Sequence, residues 1–301
     1  MTNQSILAIA VILVVMPTLS VGLWLSDSSS QIQENTNSEL VILTSFYPIY
    51  EFTKQVGGDN INVSLLVPKG VEPHDWEPTI KDVQKIESAS AVIINGAGFE
   101  NWIDNISEIN SKVKIIDTSH GIELIQSRDD ESSIDPHFWL NPVMAQIQVQ
   151  NIADALSEID SQNESAYREN SNQFKEELSL LDQRISNELS NCKRDFLAFH
   201  NAFSYFANQY GLTQHTVVDT SGPHSEPNPK TLENIVKLAN KFEITIIFSE
   251  EGVDERTSQV LAKEIGINVL TLSPIEIADD ESYIKKMQDN LENLKVALCQ
   301  N

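Results

Sequence analysis

At 301 residues, 41% of them hydrophobic, the chain is long enough for two compact domains with an ordinary globular core. A formal charge of −24 argues against nucleic acid, which needs clustered Lys and Arg. The acidity is compatible with attracting cations, and keeping the surface in solution explains it equally well.

Residues Ile6 to Leu25 form an almost unbroken apolar run, borderline in length between a signal peptide and a membrane span. No Lys or Arg precedes it, it holds no Cys for lipid attachment, and Ser20, Gly22 and Ser26 make a poor cleavage site. A signal peptide and an uncleaved anchor over residues 1–25 are both open, and either places the remainder outside the cytoplasm. Residues 26–39, rich in Ser, Gln and Asn, read as a flexible tether. An even cysteine count in an exported chain favours a Cys192–Cys299 disulfide over a cysteine metal site.

From Leu40 short apolar runs alternate with helical stretches. Strands are expected at Val41 to Phe46, Ile61 to Val67, Ala91 to Asn95 and Val113 to Ile116. Helices are expected from Ile49 to Val56, stopped by Gly57-Gly58, and from the Thr79 cap to Ser88 with Asp82 as its capping-box acid. Gln126 to Ile134 is a polar, acidic loop. Asn141-Pro142 opens a helix to Ile159. From Asn163 to Ser190, Tyr167, Phe174, Leu178, Leu181, Ile185 and Leu189 form one apolar stripe. This rod of roughly 40 Å has too few turns of stripe for a coiled coil and reads as a strut. Alternation then resumes, with strands at Phe196 to Phe199, Thr216 to Asp219, Ile244 to Phe248 and Asn268 to Leu272. Helices are expected at Ala202 to Tyr210, Lys230 to Lys241, Asp254 to Ile265 and Asp280 to Leu298. The pattern predicts an α/β fold with parallel sheets, the second half repeating the first.

Three histidines fall at or after predicted strands, where α/β folds place their binding groups. His74 lies in G-V-E-P-H-D-W-E-P, His137 in D-P-H-F-W-L-N-P, and His200 closes the run Phe196 to Phe199. With one carboxylate they would complete a tetrahedral N3O set on one metal ion. Each has a plainer reading: His74 as a polar loop residue, His137 as packing in its turn, His200 as a hydrogen-bonded core histidine. Trp76 and Trp139 follow two of them by two residues and wall the site or simply pack. His120, His215 and His224 read as solvated loop residues.

The segments P-H-D-W-E-P, D-P-H-F-W-L-N-P, F-H-N-A-F-S-Y-F-A-N-Q-Y-G-L, E-P-N-P, I-I-F-S-E-E and L-S-P-I-E occur in that order from about Leu40 to the C-terminus. Together they resemble the metal-binding solute receptors of ABC importers, the ZnuA/TroA-like family (cluster A-I) of zinc and manganese binding proteins. The resemblance implies two (β/α)4 lobes, here residues 40–160 and 192–301, joined by one long backbone helix over 161–191. It implies His74, His137 and His200 as metal ligands. Many members supply the fourth from Asp in L-D-P-L, where this chain has Ser273; a zinc-specific branch uses the closing Glu of L-N-P-L-E, which assigns the role to Glu276. Glu250 is the alternative ligand, otherwise expected behind one, and Glu226 of E-P-N-P is grouped with it.

Three imidazoles and a carboxylate suit zinc better than manganese, which prefers oxygen-rich octahedral sites. Manganese receptors of the family commonly replace the third histidine with an acid, and this chain keeps His200. The loop before His137, His-rich in many zinc receptors, is acidic here. The implied function is an extracytoplasmic receptor, not an enzyme, that captures Zn2+ and delivers it to an ABC permease. A monomer is expected, and a manganese receptor stands as the alternative. A zinc hydrolase is the rival from another class, opposed by the absence of H-E-x-x-H. An adhesin or metal buffer without a permease is the third reading.

Overall fold

Two four-stranded parallel sheets carry the molecule, one from each half of the chain. The computed structural model describes residues 40–105, 113–127, 133–217, 229–251 and 255–299. The expected leader and tether, most of the acidic loop, His224 and Glu226 lie outside the described residues. The first sheet holds β1 (Val41–Thr44), β2 (Asn62–Leu65), β3 (Ala91–Ile94) and β4 (Ile115–Asp117), in the order β2-β1-β3-β4. The second holds β5 (Asp195–Ala198), β6 (Thr213–Thr216), β7 (Ile246–Ser249) and β8 (Asn268–Thr271), in the order β6-β5-β7-β8. The two orders are the same topology used twice. In each, the chain reverses direction across the sheet beside its first strand, which opens a crevice at the carboxyl ends of the strands.

Local chemistry sets the helix boundaries. α1 (Tyr47–Gly57) has Pro48 in its first turn and stops at Gly58, whose φ of 54° suits glycine. α2 (Ile80–Ser88) begins in the expected Thr79–Asp82 capping box. Asn141 caps α3 (Pro142–Ile159) by accepting from the Val143 N–H at 2.9 Å. α4 (Glu164–Leu189) buries Tyr167, Phe174, Leu178, Leu181, Ile185 and Leu189, the stripe expected of it. α5 (Ser204–Tyr210), α6 (Pro229–Phe242) and α7 (Glu255–Ile265) serve the second sheet, and α8 (Tyr283–Leu298) starts from a Ser282 side-chain cap.

α4 packs on α1 and α3 from the first half and on α5 and α8 from the second, so it joins the two lobes. The largest apolar cluster is continuous across them, with Phe46, Phe52 and Trp139 in contact with the same core as Phe174, Tyr283 and Leu291. Among the described residues, no helix is long and apolar enough to cross a membrane.

One strand is displaced from its expected place. β6 spans Thr213–Thr216, beginning three residues before the expected Thr216 to Asp219, of which 218–219 lie outside the described residues. It starts two residues after Gly211, which ends α5 in the left-handed conformation at φ 64°. β6 is an edge strand, so it tolerates the polar run T-Q-H-T. Its buried Gln214 donates to the His200 carbonyl (2.6 Å) and accepts from the Phe203 N–H (2.9 Å), bonds that an apolar strand could not make.

Cys192 and Cys299 are disulfide-bonded, tying the residues just past α4 to the end of α8. The bond spans 107 residues of sequence. Reducing it, or Cys192→Ser, is expected to lower the unfolding free energy by about 3–5 kcal/mol. Urea unfolding with and without reductant checks this, and coincident transitions would contradict it.

Candidate metal centre

Four side chains meet at the carboxyl ends of the strands. β2 runs out through Leu66 and Val67 into the turn that carries His74. Glu72 accepts the His74 backbone N–H at 3.1 Å, and the ring lies edge-on to Phe99 with centroids 4.9 Å apart. His137 enters a 3-10 turn over Phe138–Leu140. Asp135 Oδ1 accepts both its backbone N–H (3.0 Å) and its ring Nδ1–H (2.8 Å). Tyr205 of α5 donates from its hydroxyl to the Asp135 carbonyl at 2.8 Å, so the second half helps to hold this loop. His200 follows β5. Glu250, at the end of β7, accepts its backbone N–H at 3.0 Å and its ring Nδ1–H. Glu276 follows β8.

With Nδ1 of His137 and His200 engaged behind them, the Nε2 lone pairs face inward. Nε2 atoms of His74 and His137 are 3.3 Å apart, and each is 3.3 Å from Glu276 Oε1. His200 Nε2 is 4.0 Å from the same oxygen. One ligand atom from each of His74, His137, His200 and Glu276 lies within 4.8 Å of the others. The three 3.3 Å edges among His74, His137 and Glu276 are about those of a tetrahedron with bonds of about 2.0–2.1 Å, the zinc–nitrogen and zinc–oxygen range, and His200 stands farther off. His137, His200 and Glu276 are buried and His74 is slightly exposed. His200 Nε2 is buried with no hydrogen-bond partner. Among the described residues, no other set of three or more His, Cys, Asp or Glu is placed to share an ion.

Burial opposes charge on all four groups, and the neighbours decide the outcome. Burial lowers the His74 pKa, with Glu276 opposing. At His137 burial is outweighed by the bonds to Asp135 and Glu276, which raise it to about 10. His200 is raised, burial being outweighed by Glu250. Glu276 is held far below the usual carboxylate range; burial pushes it up, but the His74 charge and the bonds from His137 and His74 prevail. Burial with the Glu276 charge lifts Glu72 to about 7. In the metal-free protein, protonated His137 therefore stabilises the fold fully below about pH 6.5 and loses that contribution as pH rises through about 10.

Glu250 spends both oxygens on His200, so it lies behind that imidazole and outside the converging set. Trp139 sits beside the His137 ring at 5.1 Å and donates its indole N–H to the Pro274 carbonyl. Trp76 packs on Trp102 at 5.4 Å, in the apolar cluster with Leu43 and Ile86. His215 is not in a loop as expected: it lies in β6, paired with Asp195 (2.8 Å) and stacked on Phe242. His120 is exposed in a turn, as expected.

Sequence reasoning passed over Asp135, Glu72 and Phe99. The first two have a readable signal. E-P-H at 72–74 and D-P-H at 135–137 are the same acid-Pro-His device, in which the acid accepts the backbone N–H of the histidine two residues on. A cleft of about 270 Å³ opens onto His74 and His137, lined by Phe99, Asp135 and Asn201. A roomier cavity, about 720 Å³ between α1, β2 and residues 278–282, holds none of the four converging groups.

A two-lobed α/β protein with a buried three-histidine, one-carboxylate cluster between its sheets is the class that fold and site define. Residues 42–297 match the model of the family described as zinc-uptake complex component A, periplasmic (ZnuA), and the chain belongs to this family. It is 32% identical over 286 residues to the high-affinity zinc uptake system protein ZnuA of Bacillus subtilis, covering 88% of this chain and 89% of that protein. It is 34% identical over 284 residues to the zinc-binding lipoprotein AdcA of Streptococcus pneumoniae, covering 87% of this chain but 56% of the relative. The crystal structure of Zn(II)-bound AdcA from Streptococcus pneumoniae superposes with a TM-score of 0.78–0.79 for its ZnuA-like domain and its whole chain, at 34% identity.

Glu250→Gln keeps the size of the side chain but replaces one acceptor oxygen with a donor facing the His200 ring. A loss of about 10–100-fold in divalent-metal affinity is expected, together with a lower metal-free thermal midpoint, because the buried Glu250–His200 pair is broken. Chelator competition and calorimetry check the pair, and unchanged affinity would remove Glu250 from the site.

Proposed function

We propose that this chain is an extracytoplasmic receptor that captures Zn2+ between its two lobes and hands it to an ABC permease. The observation that carries the reading is the convergence of four ligand atoms within 4.8 Å, three of them on buried side chains and one of those an imidazole nitrogen with no hydrogen-bond partner. His74, His137, His200 and Glu276 are the ligands. Asp135 and Glu250 orient two of the imidazoles, and Trp139 closes the site with apolar surface. The lobes over 40–160 and 192–301 are joined by the backbone helix over 161–191, and the chain acts as a monomer. The apolar run Ile6 to Leu25 directs the chain out of the cytoplasm.

Binding and release require no covalent chemistry. A divalent cation takes the place of the proton that the metal-free cluster holds on His137, and is met by inward-facing imidazole nitrogens and a carboxylate held out of water. Three neutral imidazoles and one carboxylate leave a divalent site with a net charge of +1, and the nitrogen-rich donor set favours a borderline cation over a hard one. The acidic surface, net −24 over the chain, raises the local cation concentration at the cleft.

One tight zinc per chain is expected, lost in His74→Ala, by metal analysis and chelator competition. Tight manganese with weak zinc would overturn the choice of metal, and no stoichiometric metal would overturn the function. Because the His137 pKa stands near 10 in the metal-free protein, a proton must leave that group when zinc binds at pH 7. Titration calorimetry in buffers of different ionisation enthalpy is expected to show proton release, and apparent affinity is expected to fall as pH drops. A heat independent of buffer, with affinity flat from pH 8 to 5, would contradict the assignment.

A further inference from the structure

The segment from Ser273 to Asp279, which carries Glu276, is gripped at both ends by one face of α8. At its start, Asn290 clasps Ser273 twice: its Oδ1 accepts the Ser273 N–H and its Nδ2 donates to the Ser273 carbonyl, both at 2.7 Å. At its end, Lys286 reaches Asp279 at 2.6 Å while also bonding Glu251 at 3.0 Å. Lys286 and Asn290 are four residues apart on one helix and so share a face. Both are buried, at 2% and 4% exposure, which is rare for such side chains unless they are fully paired.

Between these two grips the backbone adopts a conformation it would not choose. Ile275 is fully buried with φ at 61°, the one β-branched residue in the left-handed region among the described residues. Its N–H donates to Ser273 Oγ at 3.0 Å, and the carbonyl just before it, on Pro274, accepts from Trp139. Such conformations persist where surrounding structure over-determines them, and they concentrate at ligand clamps. The next residue is Glu276, whose Oε1 is 3.3 Å from two imidazole nitrogens.

We infer that Asn290 is a positioning residue for the metal centre: its clasp on Ser273 holds Ile275 in the left-handed conformation that turns the Glu276 carboxylate onto the three histidines. Asn290 touches none of the four ligands. It acts through the backbone of the segment, with Lys286 fixing the far end. The inference rests on the zinc-receptor reading above and adds to it the element that sets the fourth ligand.

The test uses the full chain and four variants, Asn290→Ala, Ser273→Ala, Glu276→Gln, and Asn290→Ala combined with Ile275→Gly. Zinc affinity by chelator competition, the visible absorption of the cobalt(II) form, and the metal-free thermal midpoint are read for each. Asn290→Ala is expected to weaken zinc about 10–100-fold and to move the cobalt spectrum toward that of Glu276→Gln. Glycine adopts positive φ without a Cβ clash, so adding Ile275→Gly is expected to recover at least about threefold of the affinity while lowering the midpoint through lost core packing. Affinity and stability moving in opposite directions is a result that a merely structural role would not give. Zinc affinity within about twofold of wild type in Asn290→Ala, or a loss that Ile275→Gly deepens, overturns the inference while leaving zinc binding intact. If Asn290→Ala does not fold, Ser273→Ala, which removes the hydroxyl that accepts the Ile275 N–H, carries the same two arms. A wild-type chain that binds no zinc overturns the receptor reading, and the inference with it.

Discussion

Three imidazole lone pairs and a carboxylate oxygen pressed within 4.8 Å of one another, with almost no contact with water, repel each other. Nothing in that arrangement is self-stabilising without a cation or protons, so the rest of the fold must hold it. Two of the imidazoles have an acid behind them that takes Nδ1–H and leaves Nε2 as the inward donor: Asp135 for His137 and Glu250 for His200. The third, His74, has its acid on the backbone N–H instead, and its ring is steadied by Phe99. His74 is also the one with some exposure and the one whose pKa is lowered. It stands at the mouth of the cleft, free of the buried pairing that holds a proton on His137.

The same topology used twice explains why loops from distant parts of the chain meet. Each sheet presents its strand ends to the crevice, and the groups follow β2, β4, β5 and β8. Convergence then depends on the two halves keeping their relation. A core that runs continuously from Phe46 to Leu291, a long helix packed on both lobes, and a disulfide joining the ends of α4 and α8 all serve that relation. Polar ties cross between the halves as well: Tyr205 to Asp135, Tyr283 to the Trp139 carbonyl at 2.6 Å, and Tyr47 to the Glu281 carbonyl.

The three histidines were legible because each sits beside a strong punctuator: prolines around His74 and His137, and an abrupt apolar-to-polar break after Phe199. The long helix was legible from its stripe, and the capping box from its spacing. Glu276 was reachable by family resemblance, since nothing in L-S-P-I-E says locally that the Glu turns inward. That depends on a left-handed Ile275, and isoleucine is the wrong residue to announce such a turn. β6 was misplaced for the opposite reason. The V-V-D run looks like a strand, whereas T-Q-H-T owes its strand to an edge position and to Gln214 bonding under His200. Local pattern carries no information on either point; both are set by partners far away in sequence.

A receptor of this kind must bind tightly and still let go, and the structure separates the parts that resist change from those that allow it. α4, the core and the disulfide oppose a wide hinge, because opening the lobes would expose the continuous apolar cluster to water. The ligand-bearing segments are held differently, by countable polar contacts. The 273–279 segment depends on Asn290, Trp139 and Lys286, and its far end reaches the first half through an exposed Lys69–Asp280 pair at 2.7 Å. An exposed pair of that kind contributes little and is screened by salt, which makes it the weakest of these contacts. Losing that pair would leave α4 and the core undisturbed, so the Glu276 side of the site is tied by exchangeable polar contacts and the scaffold by buried apolar surface.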